Sequence, residues 1–346
     1  MTQPLMENYG GLLQNWAMQT VLRREFPGAE VVTFDQVDNL APLYLRVGSK
    51  VKDFFMGRKK IDIPSKFDEF RTKHINATEK ARFFRDFRRM DRRFKPDVCI
   101  VGSDQVWRPS MAFNLDANFL AFSKCKTKIA YAASFGINIW EFTPKETARC
   151  RKFVKDFAAV SVREKDGVAL CTKYFGREAR LVLDPTLLLS AEDYSVLVDD
   201  AGANEKKYAF TYILDTDAEK RSVAKGILGG MTEFNGAFDI EGQKPSERLS
   251  VEKWLVGIRD AEKVICDSFH GAAFSILFNK DFYVLANPQR GNSRLTSLLS
   301  IFGLNNRMIT SIEDARSLPP VDWTTVNSRR AELIADSLTF LHTNIN

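Results

Sequence analysis

His270 is the side chain in this sequence best suited to proton transfer near neutral pH, because imidazole titrates there. Its neighbourhood fits that use. The run Val264-Ile265-Cys266-Asp267-Ser268-Phe269-His270-Gly271-Ala272-Ala273 reads as an apolar strand ending just before the histidine and a small-residue helix opening just after it. Small residues let backbone approach a ligand, and a helix start turns unpaired N–H groups toward a phosphate or carboxylate. On this reading His270 is a general acid, with Ser268 and Gly271 beside it on the ligand side. A lone histidine is more often a satisfied structural residue, and that alternative stays open.

Other strand ends carry polar groups of the same promise. Val98-Cys99-Ile100-Val101 runs into Gly102-Ser103-Asp104-Gln105-Val106-Trp107. Ligands of open α/β sheets bind at such carboxyl edges. Asp104 is placed to orient or deprotonate a substrate hydroxyl, and Trp107 to offer a flat face to a sugar ring; Ser103 or Asp104 can equally cap the next helix. Val160-Ser161-Val162 ends at Arg163, whose guanidinium forks onto carboxylate or phosphate as Lys cannot, unless Glu164 merely pairs with it. Near the start, Asn8-Tyr9-Gly10-Gly11 is a turn feeding a helix, again with free N–H groups, or simply a turn. Asp184-Pro185-Thr186 ends a strand beside the same edge, as a group facing the ligand or only as a turn. Asn292-Ser293-Arg294 opens a helix and brings Arg294 within reach of an anion, the Asn or Ser being ordinary caps.

These loops need strands and helices to hold them, and the sequence alternates the two. Short apolar runs at 30–34, 98–101, 128–132, 159–162, 181–183, 208–213, 237–240, 263–266 and 282–285 read as strands. Helical periodicity covers 12–26, 78–94, 145–157, 166–175, 217–228, 251–261, 271–278 and 294–302, with a closing helix over 326–340. This is an α/β pattern with parallel strands. It predicts a first lobe over 1–190, a second over 191–325, and a helix in 326–346 that packs back on the first; polar residues 190–205 form the link. Only residues 2–5 precede the first glycine turn, so a first strand cut short is expected.

Composition narrows the class. The 346 residues are 45% hydrophobic and 27% charged, an ordinary soluble mixture without the roughly 18–20-residue apolar run of a membrane span. The start has neither the basic nor the apolar region of a signal peptide. Five scattered cysteines without CxxC spacing, and three histidines, argue against a zinc site or a disulfide framework; no metal is expected, and a reducing cytoplasm is. The net charge of +6 concentrates from Arg82 to Lys95. Arg82, Arg85, Arg88, Arg89, Arg92, Arg93 and Lys95 face Asp86 and Asp91, while Phe83, Phe84, Phe87, Met90 and Phe94 recur at helical spacing. That is a solvated helix face, or one drawn to anionic lipid or a phosphate-bearing acceptor. No motif points to nucleic acid.

Taken in order, the stretches at Asn8–Gln14, Val101–Trp107, Ser161–Gly167, Leu183–Thr186, Asp267–Gly271 and Asn292–Leu295 resemble the polysaccharide pyruvyl transferase family over nearly the whole chain. The resemblance implies two Rossmann-like lobes facing across a cleft, as in GT-B glycosyltransferases. It implies phosphoenolpyruvate as donor, no separate cofactor, and a saccharide acceptor in cell-surface polysaccharide synthesis; a lipid-linked acceptor and a place at the inner face of the membrane would suit the Arg82–Lys95 face. By it, His270 is similar to the family's catalytic histidine and Arg163 to its donor-holding arginine, with Asp104 on the acceptor side. Ser268 stands where members with R-L-H carry an arginine, so either Arg294 or Arg290 replaces that charge or the donor differs. A nucleotide-sugar glycosyltransferase on the same fold, or a non-catalytic glycan binder, is the alternative.

Overall fold

Runs of four or five Val, Ile, Cys, Ala and aromatic residues, apolar on both faces, suit strands covered from both sides. In the computed structural model, which describes residues 1–37, 65–198, 207–215, 217–237, 248–286 and 292–345, they form two parallel sheets. The first has the order β1 (Val98–Val101), β2 (Thr127–Ala133), β3 (Ala159–Val162), β4 (Arg180–Leu181). The second uses β5 (Ala209–Tyr212), β6 (Glu233–Asn235), β7 (Lys263–Cys266), β8 (Asp281–Leu285) and β9 (Met308–Ile309), in the order β6-β5-β7-β8-β9. Every pairing is parallel, so each connection crosses over and all carboxyl edges of a sheet share one side.

Helices precede, connect and follow these strands. In the first half they are α1 (Tyr9–Glu25), α2 (Lys66–His74), α3 (Phe84–Phe94), α4 (Pro144–Val154) and α5 (Lys165–Leu170). The second half adds α6 (Ala218–Leu228), α7 (Val251–Arg259), α8 (Phe269–Leu277), α9 (Ser293–Ile301) and α10 (Trp323–Asn344). Their starts are set by local chemistry: Asn8, Asp217, Ser250 and Ser268 each accept an N–H of the first turn, and Thr143 with Glu146 forms a capping box ahead of Pro144. Helix α10 returns to the first sheet. Its Ser337 Oγ accepts from Leu183 N at 3.0 Å and its Asp336 pairs with Arg180. One apolar cluster runs through α1, α7, α8 and α10; a second lies on the other side of the first sheet, beneath α3 and α4.

Several expectations change. Residues 30–34 form no strand, only isolated bridges from Thr33 to Ala77 and Gln36 to Ala81. Residues 1–5 also form no strand, although Met1 exchanges backbone hydrogen bonds with Ile100 and Gly102 at 2.7 and 3.0 Å. Between 30–34, 94–98 and α1 lies a cavity of about 500 Å³ whose lining includes none of the candidate site residues. The strand expected at 237–240 is instead at Glu233–Asn235, and 238–240 lie outside the described residues, as do 199–205 of the link and Arg290. The helix expected from 78 starts only at Phe84, and that expected over 166–175 relaxes into a wider turn over Cys171–Phe175. Helix α8 begins two residues before Gly271, which puts His270 in its first turn.

Candidate active site

The carboxyl edges of the two sheets face one another, and their loops meet at a cavity of about 110 Å³. From the first half come Asn8, Gly10, Asp104 and Gln105; from the second come Asp267, Ser268, His270 and Arg294, with Tyr212, Leu214, Phe269 and Leu295 as apolar wall. Two side-chain nitrogens there are shielded from solvent and have no hydrogen-bond partner, His270 Nε2 and Arg294 Nε. Buried polar atoms are normally paired, so the cavity offers a ligand the Arg294 N–H donor and a His270 nitrogen that donates once protonated.

Arg163 stands behind this cavity, fully buried. Its Nη1 donates to Asp184 Oδ2 at 2.7 Å and to Ser103 Oγ at 3.2 Å; Nη2 donates to Asp104 Oδ1 at 3.1 Å. Ser103 Oγ in turn donates to Asp184 Oδ2 at 2.6 Å. The Phe269 ring covers the guanidinium at 4.3 Å, a cation–π contact strengthened by the absence of water. Arg163 therefore fixes the loops after β1 and β4 and the α8 start; Arg294 is the arginine in the cavity lining.

Gly10 and His270 bring the lobes together. A Cβ on Gly10 would fall 1.9 Å from His270 Nδ1, so only glycine lets α1 reach the imidazole. Beyond the cavity, Lys165 N donates to Ser297 Oγ at 2.7 Å and Ser293 Oγ to Asp166, tying α5 to α9.

Some candidates lie elsewhere. Trp107 is wholly buried in the first-lobe core, stacked on Phe119 at 5.0 Å with Nε1 donating to Asn118 O; it has no face left for a sugar. Tyr9 is buried against Trp254, ring centroids 5.1 Å apart, and donates to Leu249 O, which makes it a clamp between lobes. The N–H of Gly11 goes to Asn8 Oδ1 and that of Gly271 to Ser268 Oγ, both caps, so neither is open to a ligand. Asn8 and Ser268 spend one side-chain oxygen on those caps while lining the cavity.

The polysaccharide pyruvyl transferase family matches residues 8–289. The chain belongs to that family. It is therefore a transferase. No curated protein matches the chain. Among solved structures, the ADP-heptose lipopolysaccharide heptosyltransferase II of E. coli is similar, with 10% identity, a TM-score of 0.36, and coverage of 97% of this chain and 98% of that one.

The charges of this family member are strongly interdependent. Burial pushes the Asp184 carboxyl up, but Arg163 and His270 outweigh it and hold the group near 2. Asp104 is likewise held down against burial, chiefly by Arg163. His270 is lowered to about 4, first by burial, with Asp184 pulling it back up and Arg163 pushing it down. The imidazole is therefore neutral at pH 7. Arg294 is lowered to about 10 by burial and by Arg163 and stays cationic. Glu164 is pushed up by burial; its Oε1 accepts from Phe135 N and Gly136 N at 2.6 and 3.3 Å, fixing the loop after β2.

Two groups lie outside the candidate site that sequence reasoning drew. Asp184 read as a turn residue, and it is: Oδ1 caps Thr186. Its Oδ2 is also the closest counter-charge of Arg163. Asp267 read as a strand end, yet its carboxylate accepts from Leu214 N at 2.7 Å, Asp215 N at 3.2 Å and Lys220 Nζ at 3.1 Å, shaping the cavity wall after β5. The signal for both was a buried-strand end followed by Asp, within stretches that carry the family resemblance. Among the described residues, no helix is long and apolar enough to cross a membrane.

Proposed function

We propose that the chain transfers the pyruvyl group of phosphoenolpyruvate to a saccharide as a cyclic ketal, in the synthesis of a cell-surface polysaccharide. The observation that carries this reading is the small cavity between the lobes, about 110 Å³, lined by His270 and Arg294, whose Nε2 and Nε are buried without a hydrogen-bond partner. That volume suits a three-carbon phosphorylated acid. Sites for drug-sized ligands, a class that includes nucleotide sugars, run to roughly 300–1,000 Å³.

In this reading Arg294 grips the donor phosphate or carboxylate, and Arg163 acts from behind by holding Asp104 and the α8 start. The donor's negative charge raises the affinity of His270 for a proton. Protonated, His270 delivers that proton to the donor's methylene carbon, which leaves C2 electrophilic. A sugar hydroxyl attacks C2 and gives its proton to Asp104. The C2–O bond to phosphate then breaks, inorganic phosphate departs with the bonding electrons, and a second hydroxyl of the same sugar closes the ring at C2 as its proton passes to the now neutral His270. No step is routed through a metal or cofactor.

A thermal-shift series separates the donors. Phosphoenolpyruvate is expected to raise the melting temperature, and UDP- or GDP-sugars to leave it unchanged. Stabilisation by a nucleotide sugar and not by phosphoenolpyruvate would make the chain a glycosyltransferase.

A further inference from the structure

Helices α3 and α4 send Phe87, Met90, Cys150 and Val154 into the same apolar cluster, so both turn their remaining faces outward from one side of the first sheet. Those faces are basic. Helix α3 carries Arg85, Arg88, Arg89, Arg92 and Arg93; α4 carries Lys145, Arg149, Arg151 and Lys152. The acids among them are spent locally. Asp86 accepts from Arg82 N and Phe83 N, Asp91 from Ser123 and Lys124, and Glu146 caps Thr143. Glu79 pairs with Arg89 and Arg93, and Asp116 with Arg149, so the faces stay basic through Arg85, Arg88, Arg92, Lys145 and Lys152. A charged helix face alone is usually just solvated.

A second, independent feature lies at one end of this face. Trp140, Phe142, Pro144, Thr147, Arg151 and Tyr174 line an open groove of about 380 Å³. The Trp140 ring stacks on Tyr174 at 4.2 Å and on Phe142 at 4.4 Å. Its Nε1 donates to Thr147 Oγ1, which donates to Thr143 O, both at 2.9 Å. The indole and hydroxyl donors are thus used internally, which suits an apolar occupant and not a sugar. Beside the groove Ile139 is 69% exposed. The loop holding Ile139 also reaches the candidate active site, since Gly136 packs against Gln105, a cavity-lining residue.

We propose that this basic face and groove dock on an anionic phospholipid bilayer, with Ile139 and Trp140 seated among the headgroups. Aromatic side chains favour that depth, and Lys and Arg favour the negative surface. Bilayer docking at this loop brings a lipid-borne acceptor to the His270 cavity, a consequence that rests on the function proposed above; the docking itself does not.

Sedimentation with vesicles tests it. The full chain is expected to bind phosphatidylcholine vesicles containing about 30% phosphatidylglycerol about tenfold better than phosphatidylcholine alone, and to lose most binding in about 0.5 M NaCl. K145E/K152E and, separately, Ile139→Asp alter exposed positions outside the site. Each is expected to weaken vesicle binding about tenfold, with an unchanged melting temperature and unchanged transfer to a water-soluble acceptor. Equal binding to both vesicles, no binding, or variants that bind like the parent would overturn the docking face. So would binding to a soluble polyanion such as dextran sulfate but not to vesicles. Vesicle binding without pyruvyl transfer would leave the docking intact and remove the proposed reaction instead.

Discussion

Gly10 of α1 touches the His270 imidazole of α8 so closely that a Cβ added to it would lie 1.9 Å from Nδ1. The first turn of one lobe thereby becomes the wall against which the other lobe's only cavity-lining imidazole rests. Gly10→Ala must displace that ring. The expected outcome is a turnover loss of roughly tenfold or more, with an overpacking cost of about 1–3 kcal/mol in denaturant titration. Wild-type kinetics in this variant would mean that the ring position is immaterial.

His270→Ala removes the proposed acid. Turnover is expected to fall by about 10²–10⁴, while near-ultraviolet circular dichroism and sedimentation match the parent. Retained pyruvyl transfer in the folded variant would take His270 out of the chemistry.

The same residue sets a pH dependence. His270 is lowered from 6.5 to about 4 in the folded chain, so the unfolded chain binds the extra proton between those values. Its contribution to stability is complete above pH 6.5 and is lost as pH falls through 4, a change on the order of 3 kcal/mol at 1.36 kcal/mol per unit. Asp184, lowered from 3.8 to about 2, adds a further loss below that range. Denaturant midpoints measured from pH 7 to 4 are expected to fall for the parent and to stay flatter for His270→Ala. Donor binding is expected to take up a proton, read by calorimetry at one pH in buffers of different ionisation enthalpy.

Arg163 and Arg294 are expected to separate structure from binding. Asp184→Asn leaves the buried Arg163 guanidinium short of its nearest charge partner, 2.7 Å away. Breaking such a pair costs about 3–5 kcal/mol, visible as a lowered melting temperature. Arg294 has an unpartnered Nε, so Arg294→Leu is expected to leave stability unchanged or raise it, and to raise the donor KM about tenfold or more through loss of a charge-assisted bond. Urea titration and donor-dependent kinetics on the two variants check the contrast.

Much of this arrangement was legible in the sequence, for physical reasons particular to parallel sheets. Apolar runs at 98–101, 159–162 and 263–266 are covered on both faces, so their ends stand out, and Asp104, Arg163 and His270 follow those ends. What those residues touch was not legible. The bond from Arg163 to Asp184 exists because β4 lies beside β3, and the contact of Gly10 with His270 exists because two lobes close on one another; neither leaves a local pattern. Trp107 misled because an aromatic after a strand reads the same whether it faces a ligand or turns inward, and only its stacking on Phe119 decides. The 30–34 run was apolar enough for a strand, but among the described residues it meets only isolated bridges.

The most direct test is a crystal structure of the chain soaked with phosphoenolpyruvate. The expected density lies between the lobes, with a phosphate or carboxylate oxygen bonded to Arg294 and the methylene carbon within about 3.5 Å of His270 Nε2, near-attack distance. A donor bound away from both side chains, or a cavity that stays empty at saturating concentration, would contradict the account.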